Sequence, residues 1–362
     1  MKETRVLVVT DRSLVPADRG NRRRIINLMQ ALRISGYYVT LLTLTSCAHP
    51  LLGSFADHVI LTSGEAFKNG SPVDFYSVEL CLAVSEFTKS GSTVVIVEYV
   101  YLAHCLDHAK REDLRIIDTH DLMHKRSEFD DSWIKCTRSQ EVDLLSRANA
   151  VLAIQNEEAV ILASMAPHAK VITVPHASDY AGPIISAPAN SRIAMMIGSS
   201  HPGNHGMIVF AERFWLHTRE VCPGATLNVY GHICEHIPDM IPGIDRKEYV
   251  DDRGLDKAYA RSALVLAPLT NGTGIKIKVI ESLARGKTVL TTEVGAQGLE
   301  RGYERAMVIC NDLKELAISA GKLMRDSRKR RYIEGKAKEY VIEKYSMQAS
   351  VSELIELIES FA

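Results

Sequence analysis

Short apolar runs rich in β-branched residues alternate with helix-period segments along the whole chain. This alternation constrains the fold more than any single motif does. Arg5-Val-Leu-Val-Val-Thr10 opens the series. A run so short and so uniformly apolar, bounded by polar residues, reads as a strand buried on both faces of a parallel sheet. A turn-rich loop follows. Ile25, Ile26, Leu28, Met29 and Leu32 then recur at helical spacing up to Gly36, which suits a left-handed C-cap. With the strand Tyr37–Leu44 this makes a strand–helix–strand unit with a long loop at the carboxyl end of its first strand.

The pattern continues with strands expected at Val59–Leu61, Val94–Val97, Arg115–Asp118, Val151–Ile154 and Val171–Val174. Helices are expected between them at Val73–Lys89, Tyr101–Lys110, Asp121–Arg147 and Glu157–Met165. Tyr180–Ser191, with Gly182, Pro183, Pro188 and Asn190, reads as a linker. Beyond it the alternation restarts, with strands at Ile193–Ile197, Thr226–Tyr230, Leu264–Ala267, Thr288–Thr292 and Met307–Ile309. Helices accompany them at Met207–Thr218, Lys257–Arg261, Lys276–Arg285 and Leu313–Met324, and then at Arg328–Tyr345 and Met347–Ser360. The length, 362 residues, exceeds what one core organises. The expected division is an N-terminal α/β domain over 1–185, a C-terminal one over 186–345, and a last helix over 346–362 that packs back toward the first.

Charge narrows the function. The net charge of −1 excludes a generally basic nucleic-acid binder and an acidic disordered tail. The seven cysteines form no C-x-x-C, and charged residues interrupt the first ten positions where a signal peptide would start. A reduced, cytoplasmic compartment is the expectation. The longest uncharged run, Ile34–Ala56, holds Gly36, Pro50 and Gly53 and reads as strand plus loop, not as a membrane helix.

The sharpest chemical signal is Asn271-Gly-Thr-Gly-Ile-Lys-Ile-Lys-Val-Ile-Glu281, which follows a strand and opens a helix. Gly272 and Gly274 let backbone amides approach an anion, and the helix start adds free N–H groups and partial positive charge. Lys276 and Lys278 supply full charges, and Glu281 places a carboxylate where ribose hydroxyls could be held. Phosphate at the glycines and ribose at the acid describe a nucleotide-diphosphate site; a plain strand–turn–helix with surface lysines fits the same spacing. Gly286-Lys287-Thr288 is not the end of a P-loop, because the earlier glycine falls at Glu281. The usual dinucleotide fingerprint is missing as well.

These residues resemble the donor-binding segment of family-4 retaining glycosyltransferases of the GT-B fold. Other segments follow in the same order: Pro16-Ala-Asp-Arg-Gly-Asn21, Gly36-Tyr-Tyr-Val, Asp118-Thr-His-Asp121, Val174-Pro-His-Ala, Ile197-Gly-Ser-Ser with Asn204, Val294-Gly-Ala-Gln-Gly-Leu and Lys344-Tyr-Ser-Met. The resemblance implies two Rossmann-like domains with parallel sheets facing a central cleft. It implies a glycosyltransferase that moves a sugar from a nucleotide-diphosphate sugar to a glycan, lipid-linked or other acceptor, in surface polysaccharide or glycoconjugate synthesis. His120 and Lys276 are then catalytic, with His120 touching the transferred sugar. Donor contacts come from Gly20, Asn21, Gly198, Ser199, Asn204, Gly231, Thr273, Gly274, Ile275, Lys278 and Glu281. The chain departs from the family at three points. Gly20-Asn21 replaces Gly-Gly, Thr273 stands where many members carry a first glutamate, and Ser199, Ser200 and His201 occupy the region of an Arg/Lys pair.

Asp118 and Asp121 flank His120 and are read as helix caps or as groups that orient it. His104-x-x-x-His108 and His120-x-x-x-His124 have metal-ligand spacing, but no H-E-x-x-H and no third ligand accompany them, and no D-x-D triplet is present. No metal or other cofactor is therefore expected. The basic runs Arg19 to Arg24 and Arg325 to Arg331 read as solvated helix faces, or as contacts to anionic headgroups at the inner face of a membrane. No nucleic-acid partner is expected, since no aromatics interleave with these charges. Two other functions remain compatible with the sequence: a nucleotide-sugar epimerase of GT-B fold, and a non-catalytic binding or scaffold protein.

Overall fold

A computed structural model of the chain describes every residue except 1–3, 18–19, 46–48, 69, 92, 129–134, 248–249, 273 and 362. Strand β1 (Arg5–Thr10) shows how the first half is built. Successive side chains of a strand point to opposite faces. Val6 and Val8 enter one apolar cluster with Ile25, Met29 and Leu32 of the helix Gly20–Ile34. Leu7 and Val9 enter the cluster on the other face, with Leu80 and Val84 of the helix Val78–Thr88. Each such buried Val or Leu contributes about 1.5–3 kcal/mol relative to exposure.

Around β1 lie β2 (Tyr38–Leu44), β3 (His58–Thr62), β4 (Thr93–Glu98), β5 (Leu114–Asp118), β6 (Ala150–Ala153) and β7 (Lys170–Thr173). All pairings are parallel, in the order β3-β2-β1-β4-β5-β6-β7. The order reverses between β1 and β4, so their carboxyl ends mark the switch point where ligand sites form in such sheets. The second half repeats the plan with β8 (Ile193–Ile197), β9 (Thr226–Tyr230), β10 (Ile244–Arg246), β11 (Leu264–Ala267), β12 (Val289–Thr291) and β13 (Val308–Ile309). They are parallel in the order β10-β9-β8-β11-β12-β13, with the switch point between β8 and β11.

The chain divides into one unit of residues 1–177 with 347–362, and a second of 178–346. The last helix, Ser352–Phe361, belongs to the first unit, where Leu354 and Ile358 join the cluster under β1. No described helix is long and apolar enough to cross a membrane.

Several expected elements differ; the helix expected over Val73–Lys89, for one, starts only at Val78, after a 3₁₀ turn at Pro72–Asp74. The helix expected over 121–147 is instead two short helices, Met123–Ser127 and Arg138–Leu145. Thr137 caps the second through a reciprocal pair with Gln140, a start signal inside what reads as one periodic stretch. The stretch expected as the helix Tyr101–Lys110 forms 3₁₀ turns over Val100–His108. The short edge strand β10 has no counterpart in the expectations, because Ile244-Asp-Arg246 carries no apolar run.

Candidate functional site

In the second unit, the loops after β8, β9 and β11 meet at the switch point. Gly231, at φ 86°, follows β9, and a Cβ there would sit 2.4 Å from the carbonyl oxygen of Gly198, which follows β8. A Cβ on Gly206 would come within 2.4 Å of the Pro268 carbonyl oxygen and 2.8 Å of the Thr270 amide nitrogen. The two glycines let three loops close on one another. Asn204 is buried there, and its Nδ2 donates to the Ser199 carbonyl at 2.8 Å. Its Oδ1 accepts a hydrogen bond from Lys278 Nζ, which ties the helix Ile277–Ala284 to the loop after β8.

Gly272 and Gly274 take φ values of 110° and 73°, backbone that side chains rarely adopt. They turn the chain after β11 into the start of that helix, with Lys276 at its N-cap. Lys276 Nζ donates to the Gly274 carbonyl at 2.6 Å and is half-buried. Burial, with Lys276 nearby, lowers the Lys278 ammonium to about 8. Ile275 is buried beneath the loop, and Glu281 is buried further along the helix. Gly198, Ser199, Asn204, Gly231, Gly274, Ile275, Lys276, Lys278 and Glu281 thus all lie on the loops and helix at this sheet edge. Thr273 falls outside the described residues.

The first unit holds a second, more buried constellation at the carboxyl ends of β4 and β5. Arg24 grips Asp118. His120 Nε2 lies 2.6 Å from Glu98 Oε2 and 3.8 Å from Asp118 Oδ2. Tyr99 stacks on the His120 ring, with centroids 4.0 Å apart and planes at 12°. Tyr99 and His120 are the non-glycine residues with positive φ among those described, at 78° and 59°. Such strain persists where the surroundings over-determine it, as sites do. Asn21 hydrogen-bonds Tyr99, and Gly20 begins its helix. His176 is wholly buried nearby, with neither ring nitrogen hydrogen-bonded.

Burial sets the protonation states here. It holds the His120 and His176 imidazoles down to about 3, so both are neutral at ordinary pH. Burial, reinforced by Asp118, pushes Glu98 well above the usual carboxylate range. Glu98 therefore favours its protonated form beside Nε2.

The family resemblance marks His120 as a site residue, but not Glu98, Arg24, Tyr99 or His176. The reading of Asp118 and Asp121 changes: Glu98 holds the imidazole, Asp118 is committed to Arg24, and Asp121 pairs with Arg126 at 2.6 Å. The basic runs change too. Arg24 is buried, and so is Arg330, which donates to the carbonyls of Leu323, Met324 and Ala189. Neither belongs to a solvated basic face. His124 meets Glu141 at 2.6 Å rather than joining His120.

Residues 191–326 match the family described as glycosyl transferases group 1. No curated protein matches the chain. Among solved structures, the chain is similar to sucrose-phosphate synthase from Thermosynechococcus elongatus, at 15% identity and TM-score 0.70 over 99% of this chain and 98% of that one. It is similar to HepE of Anabaena in complex with UDP, at 14% identity and TM-score 0.71 over 98% and 100%. It is also similar to TarM of S. aureus, at 11% identity and TM-score 0.74 over 98% and 99%. The architecture is GT-B. The matched residues lie in its second unit, and the glycine- and lysine-bearing loops lie inside the match.

Proposed function

We propose that the chain is a retaining glycosyltransferase of GT-B fold that takes a nucleotide-diphosphate sugar as donor, with a glycan or lipid-linked glycan as acceptor. The observation that carries this reading is the cradle at the β8/β11 switch point. There, Gly272 and Gly274 bend the chain into a helix start flanked by Lys276 and Lys278, inside the segment that matches the glycosyltransferase family. The likeness to HepE makes UDP the first nucleotide to try.

In this reading the diphosphate sits against the amides after Gly274, with Lys276 and Lys278 opposing its charge. Glu281 accepts from the ribose hydroxyls. As the sugar C1–O bond to the diphosphate lengthens, negative charge grows on phosphate oxygens and the sugar becomes oxocarbenium-like. Fixed cations and amide dipoles stabilise that separation without reorganising. The acceptor oxygen then bonds to C1 on the face the diphosphate leaves, and the departing phosphate oxygen takes the acceptor's proton. Configuration is retained and no protein nucleophile is required. His120 contributes a neutral ring that donates from Nδ1 to a sugar hydroxyl, with Glu98 holding Nε2. The two lysines supply the charge that a divalent cation would otherwise bring.

The test is incubation with UDP-, GDP- and ADP-sugars, first alone and then with candidate acceptors, followed by NMR of the anomeric proton. Slow hydrolysis of one donor alone, and an axial or equatorial linkage matching that donor when acceptor is added, is the expected result. An epimerised sugar nucleotide, or an inverted linkage, would overturn it.

A further inference from the structure

The first unit contains a cluster that the proposed transfer does not use. Cys81 lies on the helix Val78–Thr88, and His104 and Cys105 lie on the 3₁₀ segment Val100–His108. All three are buried, and their ligating atoms lie within 4.8 Å of one another. The histidine spacing suggests a pair of His104 with His108, but His108 turns instead to the Tyr76 hydroxyl at 3.1 Å. His104 turns to the two thiols.

Two geometric facts suit a metal. Cys105 Sγ is 3.5 Å from His104 Nε2. With Zn–S about 2.3 Å and Zn–N about 2.0–2.1 Å, a tetrahedral angle separates sulfur from nitrogen by about 3.5 Å, so this edge has the length a zinc ion needs. His104 Nδ1 lies 3.1 Å from the Tyr101 carbonyl. An Nδ1–H donated to that carbonyl fixes the tautomer and makes Nε2 the unprotonated ring nitrogen, which is how ligating histidines are held. Without a metal, the Ser77 N–H donates to that Nε2 at 3.1 Å. On metal binding the Ser77 N–H must pass to a thiolate, which accepts hydrogen bonds.

Charge selects the ion. Two thiolates and one neutral imidazole around a divalent cation sum to zero, which a buried site tolerates; a monovalent copper ion would leave a net negative charge there. We propose that Cys81, His104 and Cys105 form a zinc site, completed by a solvent molecule, that pins the helix Val78–Thr88 to the turns after β4. Binding releases the two thiol protons to solvent and needs no redox partner. The pinned segment begins just after Tyr99, and its Tyr101 hydroxyl donates to Asp11 at 3.0 Å while its ring stacks on Tyr99, so the metal would steady the neighbour of the ring that stacks on His120.

The test is titration of the reduced, metal-stripped full-length chain with Co²⁺ as spectroscopic probe. One Co²⁺ per chain should bind with thiolate-to-cobalt charge transfer and tetrahedral d–d bands, and Zn²⁺ should displace it and raise the melting temperature. Cys81→Ser or Cys105→Ser should weaken uptake by at least about tenfold. Cys222→Ser, a buried free thiol of the other unit, should leave it unchanged. Absence of stoichiometric uptake with a thiolate signature in the wild-type chain overturns the proposal, whether or not the variants fold. Wild-type affinity in a folded Cys81→Ser/Cys105→Ser chain overturns it too.

Discussion

Arg24 grips Asp118 through two hydrogen bonds, Nε to Oδ2 at 2.9 Å and Nη2 to Oδ1 at 2.6 Å, with both side chains buried. The pair joins residues 94 positions apart and stands next to Glu98 and His120. Removing one partner leaves the other charge buried without compensation. Arg24→Ala should therefore destabilise the first unit by about 3–5 kcal/mol, read as a fall in its unfolding midpoint in urea. Arg24→Lys keeps the charge but loses the planar fork, and should fall between Arg24→Ala and wild type. An Arg24→Ala chain as stable as wild type would show that the pair does not hold the site.

Glu98 keeps its proton in the folded chain because burial, reinforced by Asp118, pushes it well above the ordinary 4.5. The sign follows from proton counting. Above about pH 4.5 the unfolded chain has released a proton that the folded chain still holds, so this residue costs stability as pH rises. Glu98→Gln keeps the shape and a donor to His120 without that cost. Its melting temperature should gain on wild type as pH rises from about 5 to 8. A gap that stays constant over that range would mean that Glu98 ionises normally.

His120 sits at φ 59°, where asparagine is tolerated better than most side chains. His120→Asn should preserve the melting temperature and lower turnover by roughly 10²-fold, the scale of one lost donor in a preorganised site. Because burial holds the ring down to about 3, the wild-type rate should show no histidine limb from His120 between about pH 5 and 8. An unchanged rate in a folded His120→Asn chain would take the ring out of the mechanism.

Lys278 titrates near 8 in the free chain, lowered by burial and by Lys276. A bound diphosphate favours the charged ammonium and raises it again. Nucleotide-diphosphate affinity should thus be full below this value and fall as pH rises through about 8, with proton uptake on binding above it. Calorimetry in buffers of differing ionisation heat reads both. Lys278→Arg, which stays charged, should flatten the dependence. A wild-type dissociation constant that is level from about pH 7 to 9 would exclude a titrating Lys278 at the phosphate.

The two sites differ in how far the sequence reveals them. The cradle in the second unit spans Gly272 to Glu281, so its glycines, lysines and acid are neighbours in the chain as well as in space. The strands were legible because parallel strands buried on both faces are nearly continuous apolar runs. The first unit's cluster takes Arg24, Glu98, the Asp118/His120 pair and His176 from separate parts of the chain, and only the order β2-β1-β4-β5 brings the ends of β4 and β5 to the helix that carries Arg24. Glu98 reads in sequence as the polar end of a strand, and Arg24 as one charge in a basic run. The same holds for Cys81 and Cys105, 24 positions apart and outside any recognisable spacing.

The most direct test of the donor site is calorimetric titration of UDP, GDP and ADP into the full-length chain and into Lys276→Ala. One of the three should bind wild type at one per chain, and Lys276→Ala should bind it at least about tenfold more weakly with an unchanged melting temperature. Failure of wild type to bind any of the three, or equal affinity in Lys276→Ala, would contradict a diphosphate held at the helix start beside Gly274.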